Sequence, residues 1–382
     1  MMRAEMDVRR LTRDLLAGAE EEAADLERSG TFPWRALAQL RAAGLFGLPF
    51  PEAVGGLGRG WLAATALIEE ASQLHAAIGA VLDIQMALVA APLVQFATAE
   101  QGNIVRDVVR GGALAAFALT EEGAGSDPRG MQTVARRDGD GYRLEGHKLF
   151  ISNADVATWL LTFALVDRRP TAFVVERQNP DLAVGPPLRK MGMRSVGTHR
   201  VDFRGVYVPS PLRLGAEGEG LHIANFALSR GRLGIASQAL GIGEAAFVKA
   251  RDHVAQRRQF GKALAEFQFV QMTLAEMRLR LRSAQLLCED AARRLDAGED
   301  VSADAALAKV AASEAATFVA DRALQLFGGY GYMEEYSVER YLREARVTEI
   351  YEGTSEINRL IVARDILRPA RREIGGTSPH AR

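Results

Sequence analysis

The sequence predicts an α+β fold of three domains, in which an all-β segment lies between two helical blocks. Three observations predict it. Residues 1–115 carry apolar side chains at helical spacing, and residues 116–220 carry short β-branched or aromatic runs separated by turn residues. Residues 221–382 return to long amphipathic helices. At 382 residues the chain is long for one hydrophobic core, which agrees with two or three domains.

In the N-terminal block the most apolar run is "AAIGAVLDIQMALVAAPLVQFA", residues 76–97. It contains Asp83, Gln85 and Pro92, so we expect a buried core helix rather than a membrane span. The first residues, "MMRAEMDVRRLTRDLL", mix charges of both signs and lack an apolar core, so we expect no secretory signal peptide.

The middle block reads as strands, among them "YRLEGHKLFIS", "TWLLTFALV", "TAFVVER" and "HRVDFRGVYVP". In the last of these, Val201 and Phe203 share one face with Val206 and Val208 only if the alternation slips at Gly205. We therefore predict a β-bulge at that glycine.

The C-terminal block contains apolar residues alternately three and four positions apart, which predicts the seam of an antiparallel helix bundle. These residues are Leu274, Met277, Leu281, Ala284, Cys288, Ala291 and Leu295. Cys288 is the single cysteine, so an internal disulfide or cysteine metal cluster is excluded and a reducing, cytoplasmic location is expected.

The composition and motifs give no support to several classes of function. The net charge of −1 gives no basic field for nucleic acid or an anionic membrane. The six histidines lack metal-ligand spacing, so no metal site is predicted, and no Gly-x-Ser-x-Gly motif supports serine hydrolysis.

Three glycine- or arginine-containing stretches each allow two interpretations. "FALTEEGAGSDPRG" (117–130) is either a turn or an anion-binding concavity with hydroxyls at Thr120 and Ser126. "RRQFGKAL" (257–264) is either a solvated helix end or an arginine pair for a pyrophosphate. "QLFGGYGYMEEY" (325–336) is either a glycine helix cap or a close backbone approach to a flat ligand.

Glu352, in "IYEGTSEINR" (350–359), precedes a predicted helix start at Thr354 or Ser355. An acid there either complements the helix dipole or acts as a base over a substrate.

Taken together and in this order, these stretches resemble the acyl-CoA dehydrogenase family of flavoproteins. The resemblance runs from about residue 31 to residue 368. It rests on "LTEEGAGSD", "RRQFGKALAEFQFVQ", "LFGGYGYMEEY" and "VERYLREARVTEIYEGTSEINRLIVAR". It implies an N-terminal helical domain, a middle β-sheet or barrel-like domain and a C-terminal four-helix bundle. It also implies FAD bound in a homotetramer built as a dimer of dimers, with electron-transferring flavoprotein as acceptor.

The resemblance assigns cofactor roles to matching positions. Thr120 and Ser126 would contact the flavin edge and pyrophosphate, while Phe150 would stack on the ring and Ser152 would place a hydroxyl near N5. Four further residues would reach the FAD of the neighbouring subunit: Arg257, Phe260, Gln325 and Gly329.

The remaining matches surround the predicted substrate. Thr354 and Glu356 would lie near the diphosphate and adenosine side of the cofactor, and Arg232 near the CoA portion of a thioester. Tyr351 would shape the acyl pocket, and Gly353 would let the backbone approach the substrate.

Glu352 matches the position where many family members carry their catalytic base. The implied reaction converts an acyl-CoA to a trans-2-enoyl-CoA: the base removes the α-proton of the thioester as a β-hydride passes to flavin N5. Such a base needs desolvation to raise its pKa, and the thioester oxygen needs hydrogen bonds as enolate charge develops.

Some features depart from the commonest family pattern, and three rival functions stay open. Glu122 replaces the usual proline, "FISNA" replaces Trp-Ile-Thr-Asn-Gly, and the N-terminus is short of the usual opening helix pattern. The first rival is the same chemistry on an acyl or aminoacyl group tethered to a carrier protein. The second is a flavin oxidase or monooxygenase, against which Glu352 argues. The third is a non-enzymatic FAD protein that binds DNA, against which the neutral charge argues.

Overall fold

The computed structural model describes residues 2–367, with side chains from residue 7 onward. The predicted order of a helical block, an all-β block and a second helical block is confirmed. The final "RREIGGTSPHAR", which we expected to be a frayed tail, lies outside the described residues.

The N-terminal block folds into helices joined by short turns. They are α1 (Met2–Leu15), α2 (Ala19–Ser29), α3 (Trp34–Ala42), α4 (Gly60–Leu74), α5 (Ala76–Asp83), α6 (Ala91–Phe96) and α7 (Gly102–Val109). Between α5 and α6 the chain forms a π-helical segment, Ile84–Ala90. Within the described residues, Ala76–Phe96 is long and apolar enough to cross a membrane, and 94% of its most apolar window is buried inside the protein, as expected of a core segment.

The middle block forms an eight-stranded sheet. Its strands are β1 (Ala115–Ala118), β2 (Val134–Asp138), β3 (Gly141–Ser152), β4 (Trp159–Val166), β5 (Arg169–Glu176), β6 (Leu182–Val184), β7 (Thr198–Pro209) and β8 (Arg213–Leu214). The order is β6-β7-β3-β2-β4-β5-β8, and β1 pairs in parallel with β4.

Alternation along the strands buries both faces of the sheet centre. On β4, Leu160 and Ala164 face the core inside the β domain, whereas Leu161 and Phe163 pack in the core shared with the helices. The predicted bulge is confirmed, because the β3–β7 register shifts opposite Gly205, whose φ is 80°. The sheet is therefore fixed against the helical blocks rather than exposed on one side.

The C-terminal block consists of α8 (Gly220–Gln256), a small hairpin of β9 (Arg258–Gln259) and β10 (Lys262–Ala263), and four further helices. These are α9 (Gln268–Asp296), α10 (Ser302–Phe327), α11 (Val338–Thr348) and α12 (Ser355–Ile366). The predicted seam on α9 is buried from Met277 to Leu295, while Leu274 is only partly buried. Burial raises the pKa of the Cys288 thiol to about 12, as expected of an unreactive core cysteine.

Helix α8 is the wall shared by the two helical blocks. It packs against α9, α10 and α11 of its own block, and against α4, α5 and the π-helical segment of the N-terminal block. A side chain from either block can therefore meet the other at the surface of α8.

Candidate active site

The loop between α11 and α12 carries Glu352 to the surface of α8. Glu352 and Gly353 both have left-handed backbone, with φ of 54° and 95°. A non-glycine residue in this conformation is strained by roughly 1–3 kcal/mol, so the surrounding structure must hold it. The loop is fixed at its ends, because Tyr351 N donates to Val347 O at 3.2 Å and Ser355 N to Glu349 O at 3.0 Å.

The carbonyl of Gly353 is held from two helices. Lys309 Nζ on α10 donates to Gly353 O at 2.8 Å, and Asn358 Nδ2 on α12 donates to the same oxygen at 2.7 Å. The Lys309 side chain is fully buried. Burial lowers the pKa of its ammonium to about 8, against the opposing influence of Glu352.

The Glu352 carboxyl lies in a desolvated setting with cations on one side. Its Oε2 atom is buried and accepts no hydrogen bond from an N–H group or a hydroxyl of the described residues. Burial raises the pKa of Glu352, and the charges of Lys309 and Arg232 moderate that rise. These are the properties of a carboxylate base.

Glycines on α8 make room for this carboxyl. A Cβ added to Gly231 would lie 2.0 Å from Glu352 Oε2 and 2.7 Å from Leu88 Cδ2. Three residues on, a Cβ at Gly234 would lie 1.8 Å from Asp83 Oδ1. Two carboxyl groups thus occupy successive gaps on one face of α8.

The other predicted substrate residues lie beside this pair. Tyr351 donates a short hydrogen bond to Gln238 Oε1, and Gln238 Nε2 donates to Ala76 O at 2.9 Å. Arg232 is 7% exposed, and burial lowers its pKa while Glu352 raises it. The charges of Arg232 and Glu352 therefore act on each other, and the contact of Arg232 with CoA stays a prediction.

Of the residues predicted to contact the flavin ring and pyrophosphate, Thr120, Phe150 and Ser152 lie toward one end of strand β3. Leu149 N donates to Thr120 O at 2.9 Å, which ties β3 to the glycine-rich loop. Phe150 stands at a bulge with φ of 59° and is 61% exposed. Ser152 Oγ lies 3.3 Å from Thr198 Oγ1, and Ser126 is exposed on the loop.

A buried ion pair shapes this loop from inside. Lys148 Nζ lies 2.7 Å from Glu121 Oε1 and donates to Leu119 O at 3.0 Å. Glu121 also accepts hydrogen bonds from the backbone N–H groups of Gln132 and Thr133. Burial lowers the pKa of Lys148 to about 8. At Glu121 burial raises the pKa, but the charge of Lys148 and the hydrogen bonds outweigh burial, so the net pKa is below its ordinary value.

We expect Glu121→Ala to lower the free energy of unfolding by about 3–5 kcal/mol, because it leaves the Lys148 ammonium buried without its partner. Urea denaturation of purified protein measures the change. The adjacent Glu122 is exposed, so Glu122→Ala is the matched control and should change stability by less than about 0.5 kcal/mol. Equal losses in the two variants would contradict a structural role for the pair.

The four residues predicted to reach the FAD of the neighbouring subunit lie on an exposed part of the C-terminal block. The Arg257 guanidinium lies 5.2 Å from the centre of the Tyr330 ring, next to Gly329. Phe260 has φ of 51° at the tip of the β9–β10 hairpin and is 93% exposed, and Gln325 is exposed at the end of α10. These residues are therefore open to solvent in the single chain.

The start of α12 is capped as predicted. Thr354 Oγ1 accepts from Ile357 N at 3.3 Å. Glu356 is exposed, and its pKa is lowered by a hydrogen bond with the Thr354 side chain. Their contact with a cofactor stays a prediction.

Models of the acyl-CoA dehydrogenase N-terminal, middle and C-terminal domains match residues 3–109, 116–206 and 218–367 in the same order. An acyl-CoA dehydrogenase of Bacillus subtilis is 39% identical over 367 residues, which are 94% of this chain and 97% of the relative. The chain belongs to the acyl-CoA dehydrogenase family.

Two further comparisons agree at this level. A short-chain specific acyl-CoA dehydrogenase of Clostridium acetobutylicum is 37% identical over 371 residues, covering 94% of this chain and 97% of the relative. The solved butyryl-CoA dehydrogenase of Megasphaera elsdenii is 36% identical, with a TM-score of 0.94 over 96% of this chain and 98% of that chain. The predicted family, fold and class of oxidoreductase are thereby confirmed.

Sequence analysis missed four residues of this candidate site. They are Asp83, Gly231, Lys309 and Asn358. Asp83 and Lys309 did leave a signal, because each is a charged residue among small apolar ones, in "AVLDIQM" and "ALAKVAA". Gly231 and Asn358 gave no signal in the sequence, because their roles depend on contacts in the folded chain, with Glu352 and with the Gly353 carbonyl.

Proposed function

We propose that this protein catalyses the FAD-dependent α,β-dehydrogenation of a short-chain acyl-CoA, with Glu352 as the base that removes the α-proton. The observation that carries the proposal is the desolvated Glu352 carboxyl, whose Oε2 accepts no hydrogen bond from an N–H group or a hydroxyl of the described residues and whose pKa is raised. The short chain is supported by relatives named as short-chain specific and as butyryl-CoA dehydrogenase.

The surroundings of Glu352 allow it both to ionise and to take up a proton. Burial favours the neutral acid and so raises proton affinity, while Lys309 and Arg232 stabilise the carboxylate enough for it to ionise. The Lys309 and Asn358 bonds to Gly353 O hold the strained turn, so the carboxylate keeps its orientation. Removal of an α-proton then leaves the proton on Glu352.

The cofactor would lie against the group that includes Thr120, Ser126, Phe150 and Ser152. The residues fit a flat anionic ligand, since Phe150 presents an exposed ring from a left-handed position and the loop glycines 123 and 125 have open space around them. When bound, FAD supplies the hydride acceptor. Thr354 and Glu356 would face its diphosphate and adenosine side.

A second copy of the chain would complete the cofactor site. Four residues are exposed in the single chain, as expected of residues that serve a neighbouring subunit: Arg257, Phe260, Gln325 and Gly329. We propose the homotetramer, a dimer of dimers, with electron-transferring flavoprotein as electron acceptor and a cytoplasmic location. These assignments are supported by the family resemblance and, for the location, by the single buried cysteine.

The carrier-protein alternative is less well supported. It would use the basic stretch at 189–200 to bind an acidic helix. Lys190 instead donates to Thr198 Oγ1 at 2.9 Å, Arg194 Nε donates to Lys190 O at 3.2 Å, and Arg200 lies 2.8 Å from Asp202. These cations already have partners inside the domain. The oxidase alternative is disfavoured by Glu352 itself.

Anaerobic titration of the purified flavoprotein with acyl-CoAs of graded length tests the proposal. We expect butyryl-CoA to bleach the flavin absorbance band and longer chains to do so progressively less. A yellow protein that no CoA thioester bleaches would contradict the proposal, and bleaching by a carrier-tethered acyl group would then establish the alternative.

A further inference from the structure

Asp83 is a fully buried carboxyl group that the reaction described above does not use. It ends α5, immediately before the π-helical segment, and has no exposed surface. Its Oδ1 occupies the gap at Gly234, and Glu352 Oε2 occupies the gap at Gly231, one helical turn away. The two carboxyl groups lie within hydrogen-bonding reach of each other.

Neither Asp83 oxygen receives a hydrogen bond from any N–H or hydroxyl of the part of the chain that the structure describes, and the same holds for Glu352 Oε2. Two buried carboxyl groups within hydrogen-bonding reach repel each other strongly if both are ionised. A carboxylic acid and a carboxylate at that distance instead form a strong hydrogen bond. The pair therefore needs at least one proton to form a hydrogen bond between its two members, and with one proton that hydrogen bond is the strong one between an acid and a carboxylate.

The charged neighbours decide which member holds that proton. Lys309 and Arg232 both act on Glu352, and Glu349 and Glu356 act in turn on Lys309. Asp83 is influenced by Glu352, and no cation of the described residues acts on it. The remaining titratable neighbour, Tyr351, donates its hydroxyl to Gln238. Ionisation is therefore favoured at Glu352 and disfavoured at Asp83.

We propose that Asp83 is a positioning residue for the catalytic base, holding the proton of a carboxyl pair and donating it in a hydrogen bond to the Glu352 carboxylate. This inference rests on the proposed function in that Glu352 is taken as the base. During the reaction the α-proton passes to Glu352 while Asp83 keeps its own proton. The pair then holds two protons and returns one to solvent before the next turnover.

The pH dependence of kcat/KM for flavin reduction tests the proposal, since it reports the ionisation of the free enzyme. Asp83→Ala removes the donor, so the pKa of Glu352 rises and the acidic limb should move up by about one to two pH units. Asp83→Asn keeps a donor of the same size, so its acidic limb should stay within about half a unit of the wild type.

The two variants also distinguish the proposal from the opposite arrangement, in which Asp83 is the ionised member and its charge repels that of Glu352. Asp83→Asn would then remove a negative neighbour, and the acidic limb would move down. That result, or an unchanged limb in Asp83→Ala, would overturn the proposal. Glu344→Gln is the matched control, because Glu344 is also buried with a raised pKa, of about 7, but its charged neighbours are Arg340, Glu27, Arg343 and Glu339. It should leave the limb in place.

Infrared spectroscopy gives a readout that needs no turnover. The difference spectrum of wild type minus Asp83→Asn at neutral pH should contain the carbonyl stretch of a protonated carboxylic acid, and its absence would overturn the proposal. If no thioester bleaches the flavin, the proposed function fails while this spectrum still tests the carboxyl pair. The same measurement decides the question if Asp83→Ala does not fold.

Discussion

Glu352→Gln should lower the rate of flavin reduction by about 100- to 10,000-fold, the usual contribution of a positioned base. The amide has nearly the same shape as the carboxyl group but cannot accept the α-proton. The variant should keep its yellow cofactor, because the substitution removes none of the predicted FAD residues, including Thr354 and Glu356 in the same turn. Stopped-flow absorbance with butyryl-CoA under anaerobic conditions measures the rate.

Glu349→Gln is the matched control for this substitution. Glu349 lies in the same loop region but its carboxylate pairs with Arg346 at 2.7 Å instead of facing α8. It should reduce its flavin at nearly the wild-type rate. A Glu352→Gln enzyme as fast as wild type would show that another group is the base, and Asp83 would be the first to examine.

Gly231→Ala should lower the rate of flavin reduction by about 100-fold, the effect of misplacing a catalytic group by roughly 1 Å. The added methyl group would lie 2.0 Å from Glu352 Oε2 and 2.7 Å from Leu88 Cδ2, so the ends of both side chains must move away from α8. The end of a flexible side chain moves at little cost, and alanine favours a helix over glycine by about 0.5–1 kcal/mol. The melting temperature should therefore change little while activity is lost.

Gly102→Ala serves as the control for a glycine replaced at the start of another helix. The nearest atom to its added Cβ, Arg106 Nη1, is 3.6 Å away, which is an ordinary contact. Wild-type reduction rates in both glycine variants would show that Glu352 does not depend on the gap at Gly231. A Gly231→Ala protein that loses FAD would instead indicate a wider disturbance, so cofactor content is measured in parallel.

The fold could be predicted because its signals are local and repeated. The strand alternation with its slip at Gly205 and the seam from Met277 to Leu295 are both visible in short windows of sequence. Glu352 could be proposed as the base because a long family motif surrounds it. Each of these predictions depended on residues that are close together in the chain.

The rest of the site could not be predicted because it depends on contacts between distant segments. Asp83 and Gly234 meet across the boundary of two domains, and no sequence period connects them. From the sequence Asp83 served only to argue against a membrane span, although a charge in a buried apolar helix also signals a polar contact. Lys309 was missed for the same reason. It donates to the backbone carbonyl of Gly353, and because every residue has a backbone carbonyl, the sequence does not show which one accepts.

The contact between α5 and the Glu352 loop makes the strength of the base a property of how the domains are assembled. If the N-terminal block separated from α8, water would reach Glu352 and Asp83, and their raised pKa values would fall back toward those of free carboxyl groups. By linkage, the assembled form binds more protons than the separated one, so association of the two blocks weakens as pH rises through that interval. The proton affinity of Glu352 and Asp83 and the free energy of association of the two blocks are thus linked, so a change in one changes the other.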